Sequence, residues 1–173
     1  MKHLKGFLFT IVGLFIMVTL VSLLIPSTVI VARGVAINGE AGKVYSEVSN
    51  LRNWKHWHPV FKQDSINVTY SADSGLNSFC EWETNGKTNR LQIDSLLPDR
   101  VTILLSRPGQ NNVINAIRLL PIASDRSVQV EWRAFVKLKW YPWEKFYGLF
   151  IEKTSGDSYA NALNSLKDYI EHH

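Results

Sequence analysis

Residues 35–59 read VAINGEAGKVYSEVSNLRNWKHWHP, and a change of period inside this stretch decides the fold. An apolar run, Val31 to Ile37, has the look of a strand. Asn38-Gly39-Glu40-Ala41 then leads into a helical stretch, Gly42 to Val48. Asn50 resets the chain, and Trp54, Trp57 and two histidines crowd into the five residues before Pro59. A strand that hands over to a short helix ending in aromatic and imidazole rings and a proline is the opening of a mixed α and β domain.

Toward the N-terminus, Gly6 to Ile25 is twenty residues without a charge. A helix of that length, rising about 1.5 Å per residue, crosses the roughly 30 Å hydrocarbon layer. A cleavable signal peptide has a shorter apolar region and a small-x-small cut site. Here the nearest cut, after Ala32, places bulky Ile30 at the third position back. An uncleaved anchor is therefore expected. Lys2, His3 and Lys5 precede the span and only Arg33 follows it closely. The positive-inside bias then predicts a cytoplasmic N-terminus and a domain on the periplasmic or extracellular side. Pro26-Ser27-Thr28 is too short for a flexible tether. The expected division is 1–28 for stub, anchor and linker and 29–173 for one domain held close to the bilayer.

Toward the C-terminus, short β-rich runs alternate with turn residues. Asn67–Ser71 breaks at Asp73-Ser74-Gly75, and Ser78–Thr84 meets Asn85-Gly86, a strong hairpin signal, before Lys87–Leu97. Pro98-Asp99 precedes Val101–Ser106, Pro108-Gly109-Gln110-Asn111 precedes Val113–Ile122, and Ser124-Asp125-Arg126 precedes Ser127–Leu138. Consecutive strands at this spacing make one antiparallel meander. In the last, Val128, Val130, Trp132, Ala134 and Val136 alternate with Gln129, Glu131, Arg133 and Lys137, and only Phe135 breaks the rule, so one face is buried and the other largely wet.

Pro142 can open a helix. Trp143, Phe146, Tyr147, Phe150 and Ile151 follow helical spacing, as do Tyr159, Leu163, Leu166 and Ile170. At 100° per residue the two stripes lie on different sides of a straight helix, which predicts a kink at Thr154-Ser155-Gly156.

The domain after Ile25 has 148 residues, enough for a full apolar core. Of the formal +4 charge, Lys2 and Lys5 supply two, and the remainder is too evenly spread for a nucleic-acid footprint. A single cysteine, Cys80, permits no internal disulfide and reads as a buried strand residue.

Val44-Tyr45, Asn50, Trp54, Trp57 and Pro59, with Gly156-Asp157, Leu163, Leu166-Lys167 and Glu171 at the far end, resemble the landmarks of the START-like or SRPBCC superfamily, often labelled polyketide cyclase/dehydrase. The resemblance implies an α+β helix-grip fold, a curved antiparallel sheet around a long C-terminal helix, here behind one transmembrane helix. It also implies an apolar ligand held between sheet and helix.

Candidate site residues follow from the rings. Trp54, Trp57, Tyr70, Trp82 and Trp132 fall where they could line one cavity, although each ring singly serves a core equally well. Arg118 sits among aliphatic residues and either greets an anionic head group or snorkels from the outer face. Trp140-Tyr141-Pro142-Trp143 with Phe146, Tyr147 and Phe150 is the densest aromatic cluster, flanked by Lys137, Lys139 and Lys145. Rings and lysines of this kind favour the membrane–water interface, so Phe146 and Phe150 are expected at a portal facing lipid or, equally, closing the core.

His56 and His58 with Glu47 or Asp64 lack the geometry of a metal site, and no metal or cofactor is expected. Glu81 and Glu83 flank Trp82 on a strand, so they read as a solvated face that turns Trp82 inward. Neither a Gly-x-Ser-x-Gly elbow nor a nucleotide loop occurs. The leading expectation is a non-catalytic, membrane-anchored binding protein for a hydrophobic small molecule or lipid. A cyclase- or dehydratase-like enzyme and a tethered interaction domain with a filled core are the alternatives.

Overall fold

A computed structural model describes residues 2–63, 65–122 and 126–173. Seven strands form one antiparallel sheet: β1 (Thr28–Asn38), β2 (Val68–Tyr70), β3 (Phe79–Thr84), β4 (Lys87–Leu97), β5 (Arg100–Ser106), β6 (Val113–Ile122) and β7 (Ser127–Lys137). Their order is β1-β7-β6-β5-β4-β3-β2, so β2 through β7 are the expected meander and β1 closes beside its last strand. β1 and β7 pair along their whole length, from Thr28 opposite Lys137 to Asn38 opposite Ser127. A register shift between Ile93 and Ser95 bends β4 against β5, and the sheet curves.

The Asn85-Gly86 hairpin has the positive φ at both turn residues that a two-residue primed turn demands, 52° and 69°. The turn expected at Ser124-Asp125 lies outside the described residues, as does Asp64.

Four helices complete the chain: α1 (Lys2–Ser22), α2 (Ala41–Ser49), α3 (Trp54–Trp57) and α4 (Pro142–His172). α1 is apolar and its side chains from Phe7 to Val21 lie largely in the open. It is long and apolar enough to cross a membrane.

Its far end is held rather than tethered. Lys145 of α4, only 3% exposed, donates to the Ile25 carbonyl at 2.9 Å and to Ser27 Oγ at 2.7 Å. Leu138 N–H donates to the Ser27 carbonyl, and Ser22 is fully buried. α1 therefore joins the sheet and α4 through a fixed joint, and a lysine expected to face head groups is spent on the Ile25 carbonyl and the Ser27 hydroxyl just beyond the end of α1.

α4 corrects one expectation. It is a single helix of 31 residues with no break at 154–156. Its inward stripe runs Gly148, Ile151, Ser155, Tyr159, Ala162, Leu166 and Ile170, steps of three and four that suit a straight helix. The conflict between the two aromatic stripes is resolved by leaving the first outside: Trp143, Tyr147 and Phe150 are 59–64% exposed and Phe146 is 36% exposed. Gly156 serves packing instead of bending, because a Cβ there would collide with the Arg33 guanidinium, which lies against the helix and meets Glu152 at 3.4 Å.

The main core gathers Val44 and Val48 of α2, Trp54 and Trp57 of α3, Leu163, Leu166 and Ile170 of α4, and the inward residues of the sheet, including Ile37, Ile93, Ile103, Ile117 and Val130. A smaller cluster of Val31, Ala134, Leu138 and Ile151 seats the first half of α4 on β1 and β7.

Candidate functional site

The WKHWHP segment is organised by backbone hydrogen bonds. Asn50 Oδ1 accepts from Arg52 N–H at 3.0 Å, which closes a short 3-10 turn, Leu51–Asn53, after α2. Trp54 Nε1 then donates to the Val48 carbonyl at 3.2 Å and Trp57 Nε1 to the Glu47 carbonyl at 3.4 Å. Both indoles thus satisfy carbonyls at the end of α2, groups that a helix terminus leaves without partners.

With Trp54 fixed, a nest of rings assembles around it. Its centroid lies 4.9 Å from Trp57, 5.0 Å from His58 in a stacked arrangement, 6.1 Å from Phe61 and 5.7 Å from Trp132. Phe61 meets Trp82 edge-on at 5.1 Å, and Trp132 meets Tyr159 at 5.3 Å. These offset and edge contacts suit the ring quadrupoles.

Between this nest, the inner face of β3 to β7 and the middle of α4 lies a cavity of about 430 Å³. Trp54, Phe61, Trp82, Leu91, Leu105 and Trp132 give it an apolar wall. His58, Asn115, Tyr159 and Arg107 are its main polar lining, and Thr154, Ser155, Ser158 and Asn161 bring α4 to its mouth.

Three of the polar groups are closely defined. Asn115, 2% exposed, accepts from Trp132 Nε1 at 3.1 Å and donates to the Val113 carbonyl. His58 Nδ1 accepts from Val60 N–H at 3.3 Å. An accepting Nδ1 assigns the proton of the neutral ring to Nε2. Burial among rings pushes the His58 pKa down to about 4, so the ring is neutral at pH 7. Burial also raises the Tyr159 pKa, against a smaller lowering by the nearby Arg107, so Tyr159 keeps its phenolic proton.

Of the residues expected at the site, the structure brings Trp54, Trp82 and Trp132 together on the cavity wall. Trp57 packs behind Trp54 with no exposed surface, outside the lining. Tyr70 lies on the short β2 under the Arg52 guanidinium, 5.4 Å from its ring centroid, and belongs to a separate small recess. Arg118 points from the outer face of β6 and pairs with Asp99 at 3.2 Å, because alternation along β6 turns Ile117 and Leu119 inward. Phe146 and Phe150 sit on the exposed face of α4, away from the cavity wall.

Sequence reasoning passed over Arg107 and Asn115, and weighed His58 only as a metal ligand. Tyr159 was legible only as core; Arg107 lies two residues beyond inward Leu105, past the end of its strand, where strand alternation no longer places a side chain.

Elsewhere, the Glu81 carboxylate faces out and pairs with Arg90 at 3.1 Å, while Trp82 turns in. Cys80 is buried and its thiol is pushed up to about 12, so it is inert. Among the described residues no three His, Cys, Asp or Glu side chains gather as metal ligands; His56 stacks on Tyr169 while His58 stacks on Trp54.

No protein-family model and no curated protein matches this sequence. Solved structures do share its fold. A protein from Nitrosospira multiformis superposes with a TM-score of 0.60 at 15% identity, covering 83% of this chain and 97% of its own. DynU16, from the dynemicin biosynthetic locus, gives 0.59 at 14% identity over 83% of this chain and 47% of its own. CalU16 from Micromonospora echinospora gives 0.54 at 14% identity over 84% and 76%. At such identities the likeness is one of fold: a curved antiparallel sheet closed by a C-terminal helix, in the helix-grip manner.

Proposed function

We propose that this chain is a membrane-anchored, non-catalytic member of the START-like superfamily that takes up a hydrophobic small molecule in the cavity between sheet and α4. The observation that carries this is the cavity itself: about 430 Å³, with four tryptophan and phenylalanine rings in its apolar wall and polar groups from His58, Arg107, Asn115 and α4 completing the lining. Mostly apolar, concave sites of this size suit small organic ligands. A filled-core interaction domain would leave no such space.

Binding is favoured over catalysis by the state of the polar groups. The one imidazole in the cavity has its Nδ1 engaged by Val60 N–H, and no Asp or Glu occurs among the described lining residues. A general acid or base works best when its pKa lies near the working pH, and the two titratable rings of the cavity are moved away from neutrality, His58 down to about 4 and Tyr159 upward.

The outward face of α4 supports exchange with a bilayer. Trp143, Tyr147 and Phe150 continue, at the same helical spacing, into Thr154, Ser158 and Asn161 at the cavity mouth. The aromatic half of this stripe stands beside the joint between α1 and the domain. With α1 spanning the membrane, the domain on its outer side and this stripe at the lipid–water boundary, a ligand passes between lipid and cavity along one face of one helix.

Native mass spectrometry of the full chain, released gently from lipid nanodiscs and repeated after organic extraction, tests the binding reading. A reproducible added mass that extraction removes is the expected result. A bare chain that also ignores fatty acids, sterols and polyaromatic compounds would overturn it.

A further inference from the structure

Three of the cavity's polar groups, apart from Thr154, Ser155, Ser158 and Asn161 of α4, are hydrogen-bond donors. His58 has Nδ1 occupied as an acceptor, and its remaining ring nitrogen is therefore a donor. Tyr159 stands edge-on to Trp132 with its phenolic proton retained. Arg107 lines the same space, close enough to Tyr159 to influence its ionisation, and has no carboxylate partner among the described residues. Trp132 Nε1 donates to Asn115 Oδ1, so the buried carboxamide oxygen of the cavity already has one donor.

An imidazole N–H, a phenol O–H and a guanidinium thus converge on one aromatic-walled cavity. We infer that the ligand is an aromatic carboxylate, whose ring system stacks in the nest of Trp54, Trp82 and Trp132 and whose carboxylate lies toward Arg107, His58 and Tyr159. This rests on the proposal that the cavity binds a small molecule, and it supplies that ligand's chemistry.

The physical ground is complementarity. A carboxylate only accepts hydrogen bonds, and the two buried donors, on His58 and Tyr159, are costly to leave without acceptors. Charge-assisted bonds to guanidinium are the stronger kind and can be bidentate. An alcohol or hydrocarbon of the same shape would fill the aromatic wall and leave Arg107 without its counter-charge.

The test uses the full chain in nanodiscs and two probes of one shape, 9-anthracenecarboxylate and 9-anthracenemethanol, with energy transfer from tryptophan to the anthracene as readout. The carboxylate should bind at least about tenfold more tightly, the ratio expected for one charge-assisted hydrogen bond. Arg107→Gln should bring the two probes to within about twofold of each other. Arg107 is exposed, so this change is expected to leave the thermal midpoint in place, which is measured alongside. Equal affinities in the unaltered chain, or a carboxylate preference that survives Arg107→Gln, would overturn the inference and leave the binding function standing. Binding of neither probe would overturn both. Displacement of the bound anthracene acid by decanoate at equal concentration would overturn the aromatic half of the assignment.

Discussion

His58 shows how much of a site can hang on one ring. In the sequence it was one of two histidines in a turn, and no periodicity separates it from His56. In the fold, His56 lies on Tyr169 while His58 is stacked on Trp54 and held by Val60 N–H. The displacement of its pKa from 6.5 to about 4 has a consequence for stability. The folded chain refuses a proton that the unfolded chain accepts as pH falls below 6.5. Stability is therefore full above pH 6.5, declines through the window down to about 4 and levels off below it, with a loss of up to roughly 3 kcal/mol. Glu47 acts with the opposite sign near its ordinary value of 4.5, since burial raises its pKa. Comparing the unaltered chain with His58→Phe cancels that contribution. Denaturant midpoints measured between pH 7 and 4.5 should fall less steeply in the variant; identical slopes would show that His58 is not the group responsible. Arg107 and Arg118 make the converse point. The apolar neighbours of Arg118 make it conspicuous in the sequence, yet they are what turn it outward, and the cation at the cavity comes from just past the end of β5.

At the scale of elements, the strands were legible because alternation and turn residues act locally: the described bounds of β4 and β6 are those read from the residues, and the Asn85-Gly86 turn has the backbone its residues require. The kink expected in α4 was not found, because it assumed that every aromatic stripe is buried. Periodicity reports which residues share a face of a helix and says nothing of what that face meets. Here the inner stripe meets the sheet and the outer one carries Trp143, Tyr147 and Phe150 into the open. Four of the six tryptophans lie within the folded interior, so a lipid-borne quencher can reach only Trp140 and Trp143. In liposomes containing brominated phospholipid, the unaltered chain should lose emission and Trp140→Phe with Trp143→Phe should lose little. No quenching of the unaltered chain would remove α4 from the bilayer surface. The joint is separately testable. Lys145→Met removes both hydrogen bonds to 25–27 while keeping an unbranched chain, and should cost on the order of 1 kcal/mol through the half-buried Ile25 carbonyl left without its donor. Faster proteolysis between residues 23 and 28 in the variant is the expected sign, and unchanged cleavage would mean that the joint is held by its other contacts.

For the whole molecule, the order of elements dictated the architecture more firmly than any residue dictated the site. A strand, two short helices, a meander and a long final helix can bury their apolar faces together only if the sheet curves about the helix. The same reasoning cannot say where packing will fall short. That depends on the summed volumes of side chains from seven elements, and here the shortfall lies beside Ser155, the one small polar residue on the inward stripe of α4 between Ile151 and Tyr159. Ser155 has no described side-chain hydrogen bond, so replacing it sacrifices none. Ser155→Leu places an apolar side chain into the gap, and burying it should hold or raise the thermal midpoint, by the equivalent of about 1 kcal/mol. The same change should abolish uptake of 9-anthracenecarboxylate. Stability and binding then move in opposite directions, as they must if the gap is kept open for a ligand. A variant that is destabilised by several kcal/mol would show that the space is already closed by a relaxed core, and a stable variant that still binds the probe would place the ligand elsewhere.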